Sequence, residues 1–260
     1  GPRAFQELGA TVVPYYNTPD GTNINDNCGS THPEKLTQLV TELGADLGLA
    51  FDGDADRVIA VDEHGEVVDG DQIMAICAID LKERGLLKKD TLVCTVMSNL
   101  GLDIAMEQRG IRTVKTKVGD RYVLEEMLKS GYNFGGEQSG HIIFLDLSTT
   151  GDGILSGIQL ASVMMRSGMS LSKLASKVTI LPQVLVNVRV KDEYKDSILE
   201  DEVIKARIKE LEARFAGKGR VLIRPSGTEP LVRVMIEGPD KKEIGRQAVE
   251  MARLIESRLA

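Results

Sequence analysis

Residues 52–57 read Asp52-Gly53-Asp54-Ala55-Asp56-Arg57, three carboxylates at alternate positions between two apolar runs, Leu47 to Phe51 and Val58 to Val61. Negative charges spaced this closely repel one another unless a cation holds them. A hard divalent ion taking an oxygen from each is the simplest resolution. Mg²⁺ suits a site of few carboxylates that shares a substrate phosphate, so the loop raises phosphoryl chemistry first. Two other readings compete. One is a plain charged turn. The other is a twelve-residue calcium loop, with Asp52, Asp54, Asp56 and Glu63 at positions 1, 3, 5 and 12 of the pattern. That pattern needs glycine at position 6, where Arg57 stands, and helices on its flanks, which here read as strands.

Two further stretches carry chemistry. Arg224-Pro225-Ser226-Gly227-Thr228 offers a guanidinium, two hydroxyls and backbone N–H groups within one turn. A guanidinium fork matches phosphate oxygens, and glycine lets the backbone approach an anion. An ordinary Pro-Ser-Gly turn is the alternative. Gly136-Glu137-Gln138-Ser139-Gly140-His141 sets a carboxylate, an amide and a hydroxyl between glycines, groups suited to neutral sugar hydroxyls. His141 is either a proton relay or a structural histidine. Asp120-Arg121 after Gly119 is either an anion-supporting or acid–base pair, or a surface ion pair.

The elements that must position these loops follow from periodicity. Leu36, Leu39, Val40 and Leu43 keep helical spacing up to Gly44, with Ser30 or Thr31 as cap. Strands are expected over Thr11–Tyr15, Asp46–Phe51 and Val58–Val61, with a turn at Glu63–Glu66. Asp69-Gly70-Asp71 marks a domain junction, after which strands and helices alternate to the helix at 154–166, an α/β pattern. From about Leu181 the order becomes strand, helix, strand, strand, helix. The Arg224 loop then lies at one rim of a small α+β domain.

Composition excludes several classes. The 260 residues carry a net charge of −7 and no dense Lys/Arg run, which argues against nucleic acid. The three cysteines, Cys28, Cys77 and Cys94, form no metal-ligand pattern and suggest a reducing compartment. No apolar run is long enough for a membrane span. The chain opens on what reads as the tail of a helix, so a piece of a longer protein is expected.

In order along the chain, the Asp52, Gly136 and Arg224 loops resemble three signature loops of the α-D-phosphohexomutase family. The similarity is greatest to bacterial members acting on glucosamine phosphate. Gly29-Ser30-Thr31-His32-Pro33-Glu34, Val96-Met97-Ser98-Asn99-Leu100-Gly101 and Val118-Gly119-Asp120-Arg121-Tyr122-Val123 extend the resemblance over essentially the whole chain. It implies an α/β fold of tandem mixed-sheet three-layer domains, followed by a small α+β domain resembling the TATA-binding-protein fold. The part of the second domain with the metal loop would span 1–68, the third domain 69–180 and the fourth 181–260.

By the same resemblance Asp52, Asp54 and Asp56 hold Mg²⁺, with Arg57, His141, Asp120 and Arg121 in the catalytic set. Glu137 and Ser139 contact sugar hydroxyls. Arg224, Ser226, Gly227, Thr228 and Arg233 hold the phosphate that is not transferred. The implied partners are a hexosamine phosphate and a bisphosphorylated sugar intermediate, with no nucleic acid and no membrane, in a cytoplasmic protein whose parent is a homodimer. The family's nucleophile is a phosphorylated serine in a Ser-His-Asn-Pro loop of the first domain. No such tetrapeptide occurs here, and neither Ser98 nor Ser226 has that context. A mutase is therefore expected of the whole protein and no turnover of these residues alone. The rival readings are a phosphoglucomutase or phosphomannomutase, and a non-catalytic sugar-phosphate-binding unit.

Overall fold

The computed structural model describes residues 1–191, 197–226 and 229–259. Two compact units divide it, one of residues 1–98 and 102–179, the other of 99–101 and 180–260.

The first unit opens with a short helix α1 (Pro2–Glu7). The strand expected over Thr11–Tyr15 is absent; this stretch is coil with Val13 and Tyr15 exposed. A strand needs a neighbour to satisfy its backbone groups, and none of the described strands pairs with it. Helix α2 (Glu34–Leu43) follows and ends at Gly44, whose φ of 61° suits glycine. Its N-cap is Pro33 rather than Ser30 or Thr31. The Ser30 N–H is instead donated to the Phe51 carbonyl, tying the loop to the strand end beside the carboxylates.

Strands β1 (Leu47–Phe51), β2 (Val58–Asp62) and β3 (Val67–Val68) form an antiparallel sheet in that order. Phe51 pairs with Val58, so residues 52–57 are the connection of a hairpin. The next turn closes on Asp62, whose Oδ1 accepts the N–H groups of His64 and Glu66 at 2.9 Å each. Every β2 residue is buried. Gly48 lies against Val40 and Leu36 of α2, so α2 packs on the face to which Gly48 points, and Leu49 points to the other.

Helix α3 (Gly70–Glu83) begins with a reciprocal cap between Asp69 and Gln72 and buries Ile73 through Ile79 without a break. The second sheet is built from β4 (Thr91–Thr95), β5 (Arg112–Thr116), β6 (Phe134–Gly136) and β7 (Ile142–Phe144), in the order β5-β4-β6-β7. The connections run through α4 (Leu100–Glu107) and α5 (Asp120–Ser130). β4 is parallel to β5 and β6, while β6 and β7 form a hairpin, so the sheet is mixed as expected.

Helix α6 (Gly153–Ser167) then returns to β1. A Cβ on Gly157 would come within 2.9 Å of Leu49 Cδ1, which accounts for a glycine inside this helix. A short helix α7 (Leu171–Ala175), not foreseen in the sequence, completes the unit. One apolar core runs from Val58 through α3 to Leu174.

In the second unit β8 (Gln183–Arg189), β9 (Arg220–Pro225) and β10 (Leu231–Glu237) form an antiparallel sheet ordered β8-β10-β9. Helix α8 (Glu202–Phe215) is capped by the Asp201 carboxylate, and α9 (Lys241–Leu259) closes the chain. Ile204, Leu211, Ile244, Ala248, Met251 and Ile255 bury their side chains with Val232, Val234 and Ile236 of β10. The order strand, helix, strand, strand, helix is the one expected.

Candidate active site

Asp52, Asp54 and Asp56 each present an oxygen within 4.8 Å of the others. The hairpin holds them there by backbone bonds. The Ala55 N–H is donated to the Asp52 carbonyl at 3.1 Å, and Ala55 takes a left-handed φ of 58° that doubles the chain back. The Arg57 N–H is donated to Asp52 Oδ1 at 3.1 Å. Its guanidinium Nε lies 3.4 Å from Asp52 Oδ2 and 3.8 Å from Asp56 Oδ1, offsetting part of the repulsion. Asp56 Oδ1 is buried and accepts no hydrogen bond among the described residues. A buried carboxylate oxygen without a donor is costly, and a cation would satisfy it. An all-oxygen, triply acidic donor set fits a hard divalent ion.

The calcium-loop alternative fails on Glu63. Its carboxylate accepts hydrogen bonds from the Ser172 hydroxyl and N–H at the start of α7. Although burial pushes its pKa up, bonds from Ser170 and Ser172 outweigh this and bring it down to about 2.

The Glu137 loop is laced to the Asp52 loop. Arg57 and His141 form an antiparallel bridge, and the Val58 N–H is donated to the Gly140 carbonyl at 3.1 Å. Gly140 has a φ of 93°, and a Cβ there would stand 2.2 Å from the Val58 carbonyl oxygen, so only glycine fits. The His141 ring is buried, with Nδ1 3.0 Å from Asp56 Oδ2 and Nε2 3.9 Å from Asp120 Oδ2. Glu137 Oε1 accepts the Gly119 N–H at 2.9 Å, which ties in the loop ahead of α5. Gln138 Nε2 is donated to Asp69 Oδ2 at 3.1 Å, and the Gly70 N–H to the Gln138 carbonyl at 3.0 Å. Burial raises the pKa of Asp69.

The structure thus brings Asp52, Asp54, Asp56, Arg57, Asp120, Glu137 and His141 into one connected group. Ser139 is exposed beside it. Arg121 is exposed and turned along α5 onto Glu125 at 2.7 Å. Asp69, Gly70 and Gly119 support the group, but the sequence reading gave them no such part. Their glycines were the available signal: a Cβ on Gly70 would stand 2.3 Å from the Glu137 carbonyl oxygen, and Gly119 has a φ of 126°.

The anion loop belongs to the second unit. Arg224 and Arg233 are cross-strand partners on β9 and β10, with Asn187 of β8 opposite Arg233. Burial, and then the Arg233 charge, lowers the pKa of Arg224. Arg233 reaches Glu229 at 3.2 Å, but its Nε is buried and unpartnered among the described residues. Like charges facing across strands are unfavourable, and an anion between them would relieve this. Ser226 is buried, and its Oγ accepts the Glu229 N–H at 3.2 Å. Gly227 and Thr228 lie outside the described residues.

The cysteines take no part in this chemistry. All three are free thiols. Burial pushes Cys77 up to about 12 and Cys94 up to about 11, so neither supplies a thiolate.

Three family models match in succession along the chain. Phosphoglucomutase/phosphomannomutase alpha/beta/alpha domain II matches residues 1–65, alpha/beta/alpha domain III 69–180, and the C-terminal domain 185–254. Phosphoglucosamine mutase of Thermoanaerobacter sp. (strain X514) is 62% identical over 258 residues, and that of Acetivibrio thermocellus 63% over 258. Each alignment covers 99% of this chain, which spans 58% of the length of each relative.

Among solved structures, a phosphoglucomutase/phosphomannomutase family protein from Burkholderia thailandensis superposes with a TM-score of 0.77 at 22% identity. It covers 96% of this chain and 57% of that one. Aspergillus fumigatus N-acetylphosphoglucosamine mutase, solved with GlcNAc-6P and magnesium, gives 0.72 at 22% identity over 91% of this chain and 54% of that one. Both show a shared fold. With three domain models in family order and close relatives along the same residues, the chain belongs to the phosphoglucomutase/phosphomannomutase family, the α-D-phosphohexomutases.

Proposed function

We propose that the protein to which these residues belong interconverts glucosamine 6-phosphate and glucosamine 1-phosphate through a bisphosphorylated sugar, supplying amino sugar for cell-wall precursors. The observation that carries this reading is the carboxylate trio, gathered within 4.8 Å and laced through His141 to the Glu137 loop. The names of relatives at 62% and 63% identity support the amino-sugar substrate.

In this reading Asp52, Asp54 and Asp56 hold Mg²⁺. When bound, the ion would neutralise charge developing on the phosphoryl group in flight. Arg57 adds positive charge to the same side. His141, seated between Asp56 and Asp120, holds or passes a proton, and Asp120 and Arg121 belong to the same catalytic set. Glu137 and Ser139 orient sugar hydroxyls. Arg224, Ser226, Gly227, Thr228 and Arg233 grip the phosphate that stays. The nucleophilic serine would come from residues other than these 260.

Domains at 1–68, 69–180 and 181–260, a last domain related to the TATA-binding-protein fold, a cytoplasmic location and a homodimeric parent belong to the same reading. No helix among the described residues is long and apolar enough to cross a membrane.

A second reading has one observation in its favour: no Ser-His-Asn-Pro tetrapeptide occurs in the sequence. Taken alone, these residues would form a sugar-phosphate-binding unit without turnover. Substrate identity is tested by comparing kcat/KM of the full-length protein for glucosamine, glucose and mannose 6-phosphates. A preference for glucosamine supports the reading; equal or greater rates with a hexose phosphate assign it to a phosphoglucomutase or phosphomannomutase.

A further inference from the structure

Gly151-Asp152-Gly153 precedes and opens α6, far in sequence from both loops of the site, yet it touches each of them. The Gly153 N–H, one of the first N–H groups of the helix, is donated to the Ala55 carbonyl at 2.9 Å. Such groups have no partner within their own helix, so the metal loop satisfies one of them. Ala55 is the residue of that loop with left-handed backbone, and its carbonyl is therefore fixed from outside the hairpin.

A Cβ on Gly153 would stand 2.5 Å from the Arg57 carbonyl oxygen and 2.9 Å from that of Ala55. A Cβ on Gly151 would stand 2.2 Å from His141 Nε2 and 2.4 Å from Cε1. Gly151 therefore lies against the ring whose other nitrogen is 3.0 Å from Asp56. Neither glycine has a positive φ, so close approach, not backbone conformation, is what selects glycine at both. Asp152 between them caps α6 through the Leu155 N–H at 2.9 Å and so fixes where the helix begins.

We propose that Gly151-Asp152-Gly153 is a positioning element that sets the curvature of the Asp52–Arg57 loop and the seat of His141, pre-shaping the trio for a divalent ion. The proposal rests on the metal reading given above, but it concerns how the site is held rather than what it holds. Residues that orient a ligand set contribute to affinity without touching the ion, typically about 10–100-fold.

The test uses Mn²⁺ as probe with the 260-residue chain. Wild type, Gly153→Ala, Gly151→Ala, Asp152→Ala and Asp152→Asn are compared for Mn²⁺ affinity, unfolding temperature, and metal-free NMR signals of the Ala55 and Arg57 amides and the His141 ring. Gly153→Ala is expected to weaken Mn²⁺ about tenfold or more and to shift the Ala55 and Arg57 amides. Gly151→Ala is expected to shift chiefly the His141 ring. Asp152→Ala should weaken Mn²⁺, and Asp152→Asn, which keeps a capping oxygen, should restore it. Should Gly153→Ala not fold, the Asp152 pair decides.

Wild-type affinity and unmoved loop signals in Gly153→Ala, or equal affinities of the two Asp152 variants, would overturn the proposal. If wild type binds no Mn²⁺ at the trio, the metal reading fails, and the metal-free shifts alone decide the positioning role.

Discussion

At the scale of single residues, each carboxylate of the trio has a different second duty. Asp52 accepts a backbone bond and the guanidinium of Arg57, Asp56 faces His141, and Asp54 is exposed. Asp54→Asn should therefore lower Mn²⁺ affinity by at least about tenfold, because one of few charged ligands is lost. Thermal unfolding of the metal-free chain should stay within a degree or two or rise, since a repulsion is removed. Glu137 is read differently, as a hydrogen-bonding partner of the sugar. In the full-length protein Glu137→Ala should cost about 1–3 kcal/mol of sugar-phosphate binding with little change in metal affinity. Loss of metal affinity with unchanged turnover would mean the role is misassigned.

Much of this was legible in sequence because alternate carboxylates and paired glycines are local patterns. The His141–Asp56 contact was not, since it joins residues 85 positions apart and only the register of β2 against the Gly140 turn brings them together.

At the scale of elements, hydrogen bonds from Ser172 to the half-buried Glu63 carboxylate hold the β2–β3 turn to α7. Those bonds outweigh burial and bring the Glu63 carboxyl down to about 2, well below the usual carboxylate range. A carboxyl lowered by folding stabilises the fold above its unfolded pKa and loses that contribution as pH falls through its folded one. Acid unfolding between pH 4.5 and 2 should thus include a Glu63 component. Glu63→Gln should be less stable at neutral pH and show a flatter stability profile across that window, measured by urea unfolding. An unchanged profile would show that Ser170 and Ser172 do not hold the carboxylate in solution.

In sequence this glutamate reads as a turn residue or as position 12 of a calcium loop, not as a partner of α7. Its partner Ser172 lies 109 residues away on a short helix that periodicity did not reveal. Thr11–Tyr15 failed for the opposite reason. Its β-branched and aromatic residues suit a strand, but a strand forms only where a neighbour completes the ladder. The buried strand β2 was plain because the apolar run Val58 to Val61 leaves little choice of environment.

At the scale of the whole molecule, the metal and sugar loops lie on the first unit and the arginine pair on the second. A phosphate titration followed by amide NMR should perturb residues around Arg224 and Arg233, and Arg224→Ala should abolish the response. Silence there at saturating phosphate, with shifts elsewhere, would place the anchor on another surface.

In the proposed reading the carboxylate trio supports phosphoryl transfer on an amino sugar. ³¹P NMR of the full-length protein with Mg²⁺, glucosamine 6-phosphate and a hexose bisphosphate activator tests it most directly. Wild type should show the 1-phosphate resonance growing to equilibrium, while Asp54→Asn, correctly folded, should show it slowed by about 100-fold or more. Conversion by Asp54→Asn at the wild-type rate, or none by wild type, would contradict the account.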